Sequence, residues 1–278
     1  MPDTRQVNEY ARIDSWAGWR IIELIMNKSA KLAELRHSLA RYGLPSDRVP
    51  MSLGHPQADG VLGGGLRPGA LHEIFASGWS AGGFAVLLAL LAADKKPIFW
   101  VRPDYEAMEY GAVSPNGLLE LGRDPRQLIL VRTRNAADAL SAASDVLACP
   151  HAGAMLLEIE GMPKCLDLVA SRRLAFAAGE SGVTILILRN GAQVEPSAAL
   201  TRWQVTSAPS SADDDDWGNP VFDARLTRHR LGGLGNFRMR WDPEHAAFVD
   251  PLSSQFRPRF AGTSLHPSPM LRMREKSA

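Results

Sequence analysis

Cysteine is nearly absent. Cys149 and Cys165 are the only two among 278 residues, and they match neither a disulfide framework nor a metal-site spacing. Such sparse thiols suit a reducing compartment. An excess of one charge sign is also missing. The formal net charge is +1, which excludes a global electrostatic drive toward nucleic acid or membrane. No apolar run reaches the ~18 residues needed to span a bilayer. The amino terminus, MPDTRQVNEYARID, is polar and carries acids, unlike a secretory leader. Together these absences predict a cytoplasmic protein with no membrane partner. What is present is ordinary for a globular chain: 45% hydrophobic and 22% charged residues. A chain of this length can bury one α/β core with appendages.

The organising stretch is Val61 to Ala93. Leu71-His-Glu-Ile-Phe75 reads as a buried strand, Ala76 to Gly83 as a small glycine-containing turn, and Phe84 to Ala93 as a wholly apolar core helix. Strand, glycine turn and buried helix make the architecture of a phosphate-binding loop. Upstream, Lys28 to Tyr42 places Leu32, Leu35, Leu39 and Tyr42 on one helical stripe, with charged residues opposite. That helix docks on its own core or on a partner. Met1 and Met26 are both candidate starts. Leu44 to Gly60 reads as a loop, and Gly63-Gly64-Gly65 admits close approach of another chain. Further strands are predicted at Pro97–Val101, Leu128–Val131, Ala154–Glu160, Val183–Leu188 and Thr201–Thr206. Helices are predicted at Tyr105–Tyr110, from Asn135 to about Cys149, and at Leu166–Gly179, with a turn at Leu118–Arg126. Strands alternating with helices argue a mostly parallel sheet covered on both faces. After a solvated acidic run, Asp213–Asp216, the segments Phe222–Arg228 and Phe237–Trp241 read as a hairpin. The tail from Phe256 to Ala278 lacks a period and holds five basic residues, Arg257, Arg259, Arg272, Arg274 and Lys276. It reads as a solvated tail, with a short partner-binding or DNA-touching peptide as the alternative.

From about Pro50 to Asp250 the order of elements resembles the RecA core. Gly63–Gly69 followed by Leu71–Phe75 is similar to the glycine-rich segment that opens that core, and Ala154–Glu158 falls at its Walker B strand. Within the superfamily the chain most resembles the ImuA family, through Gly63–Glu73, Ser171-Arg-Arg-Leu174 and Ser197–Val205. The resemblance implies a three-layer α/β core with a mostly parallel central sheet, carboxy-terminal antiparallel strands and an amino-terminal helix. The expected divisions are a helical segment at 1–49, the core at 50–250 and a basic tail at 251–278.

The departures are as informative. The phosphate loop falls on Ala76, Ser77, Gly78, Trp79, Ser80, Ala81, Gly82 and Gly83. Gly82 stands where a lysine would neutralise the terminal phosphates, and Gly83 where a hydroxyl would hold magnesium. Lys95 and Lys96 lie ~18 Å away along the helix, too far to substitute. Backbone amides at Gly82, Gly83 and Phe84 can still cradle an anion, so weak ATP and magnesium binding stays open. The position of the catalytic base falls near Pro103, with Asp104 and Glu106 read as solvated acids. Glu158 stands at the Walker B position, either holding magnesium or paired with Arg172 or Arg189. The connections that hold DNA in RecA shrink to Gly161–Lys164 and Asn190–Pro196, with one lysine and no arginine. Any DNA contact is therefore expected to be indirect, and Trp203 is expected in the core.

The resemblance implies a non-catalytic adaptor, without cofactor or metal, in damage-induced, error-prone translesion synthesis. The family's partners are RecA, the polymerase-like ImuB and, through it, an error-prone polymerase and the sliding clamp. Two other readings stand: a SulA-type division inhibitor that binds FtsZ, and a degenerate, DNA-dependent ATPase using Glu158.

Overall fold

A computed structural model describes residues 48–76, 81–109, 111–210 and 218–251. Outside these lie the predicted helix with Leu32, Leu35, Leu39 and Tyr42, the loop positions Ser77, Gly78, Trp79 and Ser80, the acidic run 213–216 and the basic tail.

The sheet has nine strands: β1 (Leu71–Ala76), β2 (Ile98–Pro103), β3 (Leu128–Thr133), β4 (Ala154–Glu160), β5 (Thr184–Asn190), β6 (Thr201–Ala208), β7 (Val221–His229), β8 (Gly235–Asp242) and β9 (Ala247–Val249). Their order is β3-β2-β4-β5-β1-β6-β7-β8-β9. Pairing is parallel from β3 through β6 and antiparallel from β6 to β9.

The helices are α1 (Pro56–Leu62), α2 (Ala81–Ala92), α3 (Asp104–Glu109), α4 (Pro115–Glu120), α5 (Ala136–Leu147) and α6 (Leu168–Ser181). Two cores sandwich the sheet. Helix α2 covers one face, where Ile74, Leu156, Leu186, Leu188 and Trp203 point. Helices α5 and α6 cover the other, where Leu71, Val101, Leu157, Ile185 and Ile187 point. Neighbouring side chains of a strand leave on opposite faces, so the central strands are apolar without a break. The antiparallel strands instead alternate buried and exposed positions, as expected where one face meets solvent. Their buried face forms an aromatic cluster around Phe84 of α2. Phe248, Phe222 and Trp203 lie 5.3, 5.5 and 6.0 Å from it between ring centres.

The sequence-based boundaries need four corrections. Leu44–Gly60 is not wholly a loop, because α1 begins at Pro56. The Nδ1 of buried His55 accepts from the Ala58 amide at 3.3 Å, and a proline in the first turn pre-sets helical φ. Leu118–Arg126 is not one turn either. It holds the end of α4, whose amide at Gly117 is capped by Ser114 at 3.2 Å, and a 3₁₀ turn at Pro125–Gln127. Helix α2 begins at Ala81 rather than Phe84, and β9 was missed for its shortness. The triple glycine serves its own chain. Gly63 caps α1 at φ 71°, and Gly65 sits at φ 129° with a hypothetical Cβ driven into the Met51 carbonyl.

Candidate functional site

Three features of the sequence build the candidate site. The apolar run of α2 has no polar side chain to aim forward, so its first turn offers only the backbone of half-buried Gly82 and exposed Gly83. Strand β2 ends in Trp100, Arg102 and Pro103, and β4 ends in Glu158 and Glu160. Even-numbered residues of β2 and β4 point to the α2 face, which puts Trp100, Arg102 and Glu158 beneath that first turn. Between them lies a cavity of about 310 Å³, closed on the far side by residues 111–121.

Glu158 does not stand ready for a metal. Its Oε2 lies 3.0 Å from Arg102 Nε and accepts from Trp100 Nε1 at 3.0 Å. Its Oε1 accepts from Asn190 Nδ2 at 3.2 Å and from Arg102 Nη2 at 3.5 Å. Three of these contacts are hydrogen bonds and the fourth, to Arg102 Nε, is an ion-pair approach, so both carboxylate oxygens are engaged. Arg102 is held in turn. Its Nη1 donates to the Gly111 carbonyl at 3.0 Å, and its guanidinium lies 5.2 Å above the Trp100 ring. Both side chains are 3% exposed. A guanidinium thus takes the place that a magnesium ion would need beside Glu158. Magnesium requires oxygen ligands in near-octahedral array, and the residues present do not fit it: Gly82 and Gly83 offer no side chain and the Glu158 carboxylate is occupied.

The sequence reading offered Arg172 or Arg189 as partners of Glu158, and the structure corrects this to Arg102. The signal was the parity of β2 and β4, which puts residues 102 and 158 on one face. Pro103 is buried at the end of β2, and a proline there supplies no base. Asp104 Oδ1 lies 2.6 Å from Arg132 Nε in a half-exposed ion pair. Trp203 is fully buried, as expected.

A second buried ion pair, which the sequence analysis missed, lies on the opposite face. Glu73 of β1 and Arg202 of β6 meet at 2.8 Å. Ser197 Oγ donates to the same Glu73 oxygen at 2.8 Å. Arg202 Nη2 also donates to the Glu195 carbonyl at 2.7 Å, and Arg228 Nη1 to the Ser197 carbonyl at 3.0 Å. The Asn190–Pro196 connection carries no arginine, yet these arginines from β6 and β7 surround and pin it. A shift of register between Arg202 and Trp203 leaves Thr227 opposite neither. This bulge sits beside the cluster, as bulges often do. Burial lowers the pKa of Arg189 and of Arg228 from the ordinary guanidinium value, and neighbouring cations add to the effect.

One exposed turn, Asp242, Glu244 and His245, brings its ligand atoms within 4.8 Å of one another. His245 Nδ1 already lies 2.9 Å from Asp242. No helix among the described residues is long and apolar enough to cross a membrane.

No family model matches the sequence. The crystal structure of the RadB recombinase superimposes with a TM-score of 0.50 at 17% identity, over 72% of this chain and 99% of that one. That likeness shows the fold alone, a RecA-like α/β core. Protein ImuA from two strains of Caulobacter vibrioides is 32% identical over 208 residues, which covers 67% of this chain and 81% of the relative. With that identity over that share of the relative, the chain belongs to the ImuA family.

Proposed function

We propose that this protein is a non-catalytic, RecA-like adaptor that supports damage-induced, error-prone translesion synthesis through protein contacts. The observation that carries the non-catalytic part is the Arg102–Glu158 pair: the carboxylate that would hold magnesium is neutralised within the chain by a buried guanidinium. The adaptor part rests on family membership. The partners proposed are RecA, the polymerase-like ImuB and, through it, an error-prone polymerase and the sliding clamp, with DNA contacted indirectly in the cytoplasm. We assign the contacts to the segment with Leu32, Leu35, Leu39 and Tyr42, expected from its sequence to be helical, and to the basic tail, with 50–250 as the expected core. No nucleotide cofactor is needed for that role.

Two measurements test the reading. Pure protein with magnesium and ATP is expected to release no phosphate above background, with or without single-stranded DNA; a DNA-stimulated rate lost in Glu158→Ala would make it an ATPase. Tagged protein recovered from its own damaged cells is expected to bring RecA and a polymerase-like protein. Recovery of FtsZ alone would replace the adaptor with a division inhibitor.

A further inference from the structure

On the face of the sheet opposite the Arg102–Glu158 cavity, the helical layer ends at α6, and a second cavity of about 460 Å³ opens beside it. Arg172 of α6 and Arg228 and Arg230 at the end of β7 line it, with backbone at 196–198 between them. Among the described residues, no acidic side chain lines the cavity. The nearby Glu73 is engaged by Arg202 and Ser197, and the Glu195 carboxylate lies 3.9 Å from Arg189. Arg228 and Arg230 also donate to the Ser197 and Ala198 carbonyls at 3.0 and 3.4 Å, and the positive charge gathered from two elements around one hollow favours an anion there.

The helix adds an apolar component. Val169, Arg172, Arg173 and Phe176 lie at i, i+3, i+4 and i+7 and are all exposed, so they share one face of α6. Val169 is 51% and Phe176 37% exposed. Among the described residues, Arg172 has no hydrogen bond or ion pair inside the protein, so its charge is uncommitted.

We propose that this surface binds a partner's acidic peptide carrying apolar anchors, its carboxylates seated among Arg172, Arg228 and Arg230 and its anchors against Val169 and Phe176. The occupant follows from charge complementarity combined with the aliphatic and aromatic stripe. A nucleic-acid backbone needs a longer track of cations and a row of stacking rings, whereas here the cations converge on one hollow. The site is independent of the non-catalytic cavity and of which cellular protein supplies the peptide.

The full-length protein is tested by fluorescence anisotropy with a labelled peptide of about 12 residues alternating Asp or Glu with Leu or Phe, long enough at ~3.3 Å per residue to cross the cavity and helix face. The same peptide with Asn and Gln, and an oligothymidylate of about 20 nucleotides, serve as competing probes. Binding of the acidic peptide is expected to weaken about tenfold in Arg172→Glu, to weaken in Phe176→Ser, and to stay unchanged in Lys95→Glu, in the turn after α2. Melting temperatures of the variants should match the parent, since none of these side chains is buried. No binding at millimolar acidic peptide, or binding indifferent to Arg172→Glu, overturns the proposal. So does oligothymidylate binding lost in Arg172→Glu while the acidic peptide fails to bind, which would mark a nucleic-acid surface instead.

Discussion

His72 is fully buried on β1 between two fixed partners. Its Nε2 must donate to the Arg67 carbonyl at 2.9 Å, so its Nδ1 accepts the Thr201 hydroxyl at 2.7 Å. Thr201 in turn accepts from Trp203 Nε1 at 3.1 Å. This chain of donors suits a neutral ring, and burial lowers the His72 pKa from 6.5 to about 4. The unfolded chain therefore takes up the proton first as pH falls. Stability is expected to be complete above pH 6.5, to decline between 6.5 and about 4, and to level off below, with a loss of up to about 3 kcal/mol. His229, its pKa also lowered by burial, acts in the same direction. Denaturant midpoints across this range check the slope, and His72→Gln should flatten most of it.

The Arg102–Glu158 pair belongs to the same scale. Removing one member leaves the other buried and uncompensated, a loss of about 3–5 kcal/mol. Arg102→Met and Glu158→Leu are each expected to lower the melting temperature sharply, and the double variant to recover part of it. If Arg102 is what excludes magnesium, the ion should raise the melting temperature of Arg102→Ala and leave the parent unchanged. An equal magnesium effect on both would sink that account.

Among the elements, α2 explains most. It is buried along nearly its whole length, so it is held by packing rather than by propensity. Phe84→Ala is expected to cost about 3–5 kcal/mol by opening a hole in the aromatic cluster. Its first turn is different. A Cβ at Gly82 meets nothing within 4 Å, and one at Gly83 meets only Phe222 at 3.5 Å. The double variant Gly82→Lys with Gly83→Thr should therefore fold. Replacing two helical glycines should also stabilise the fold slightly, by about 0.3–0.7 kcal/mol per site, and so raise the melting temperature. It is expected to release no phosphate from ATP, because Arg102 still holds Glu158. Turnover restored by those two residues alone would show that the acid was never blocked.

For the molecule as a whole, β7 to β9 complete one face of the core. Trp241 and Phe248 are fully buried and pack at 5.2 Å. A chain ending after His229 would expose Phe84, Trp203 and Phe222 together. Such a truncation is expected to be insoluble or to lose its cooperative melt, read by circular dichroism, while one ending after Pro251 should keep the described core.

The sequence by itself determined the order of the longer strands and helices and the burial of Trp203. Those properties are written in local period and residue type: unbroken apolar runs mark strands covered on two faces. Short elements begun by proline, such as α1 and α4, read as loops because proline and glycine signal both turns and helix starts. Only the tertiary structure decided which charges meet. Arg102 and Glu158 are 56 residues apart, and Arg202 and Glu73 are 129 apart. Strand parity put each pair on a common face, but the strand order that makes them neighbours is set by packing over the whole sheet. The same holds for the arginines around 196–198, which no local pattern brings together, because they arrive on strands and a helix from separate parts of the chain.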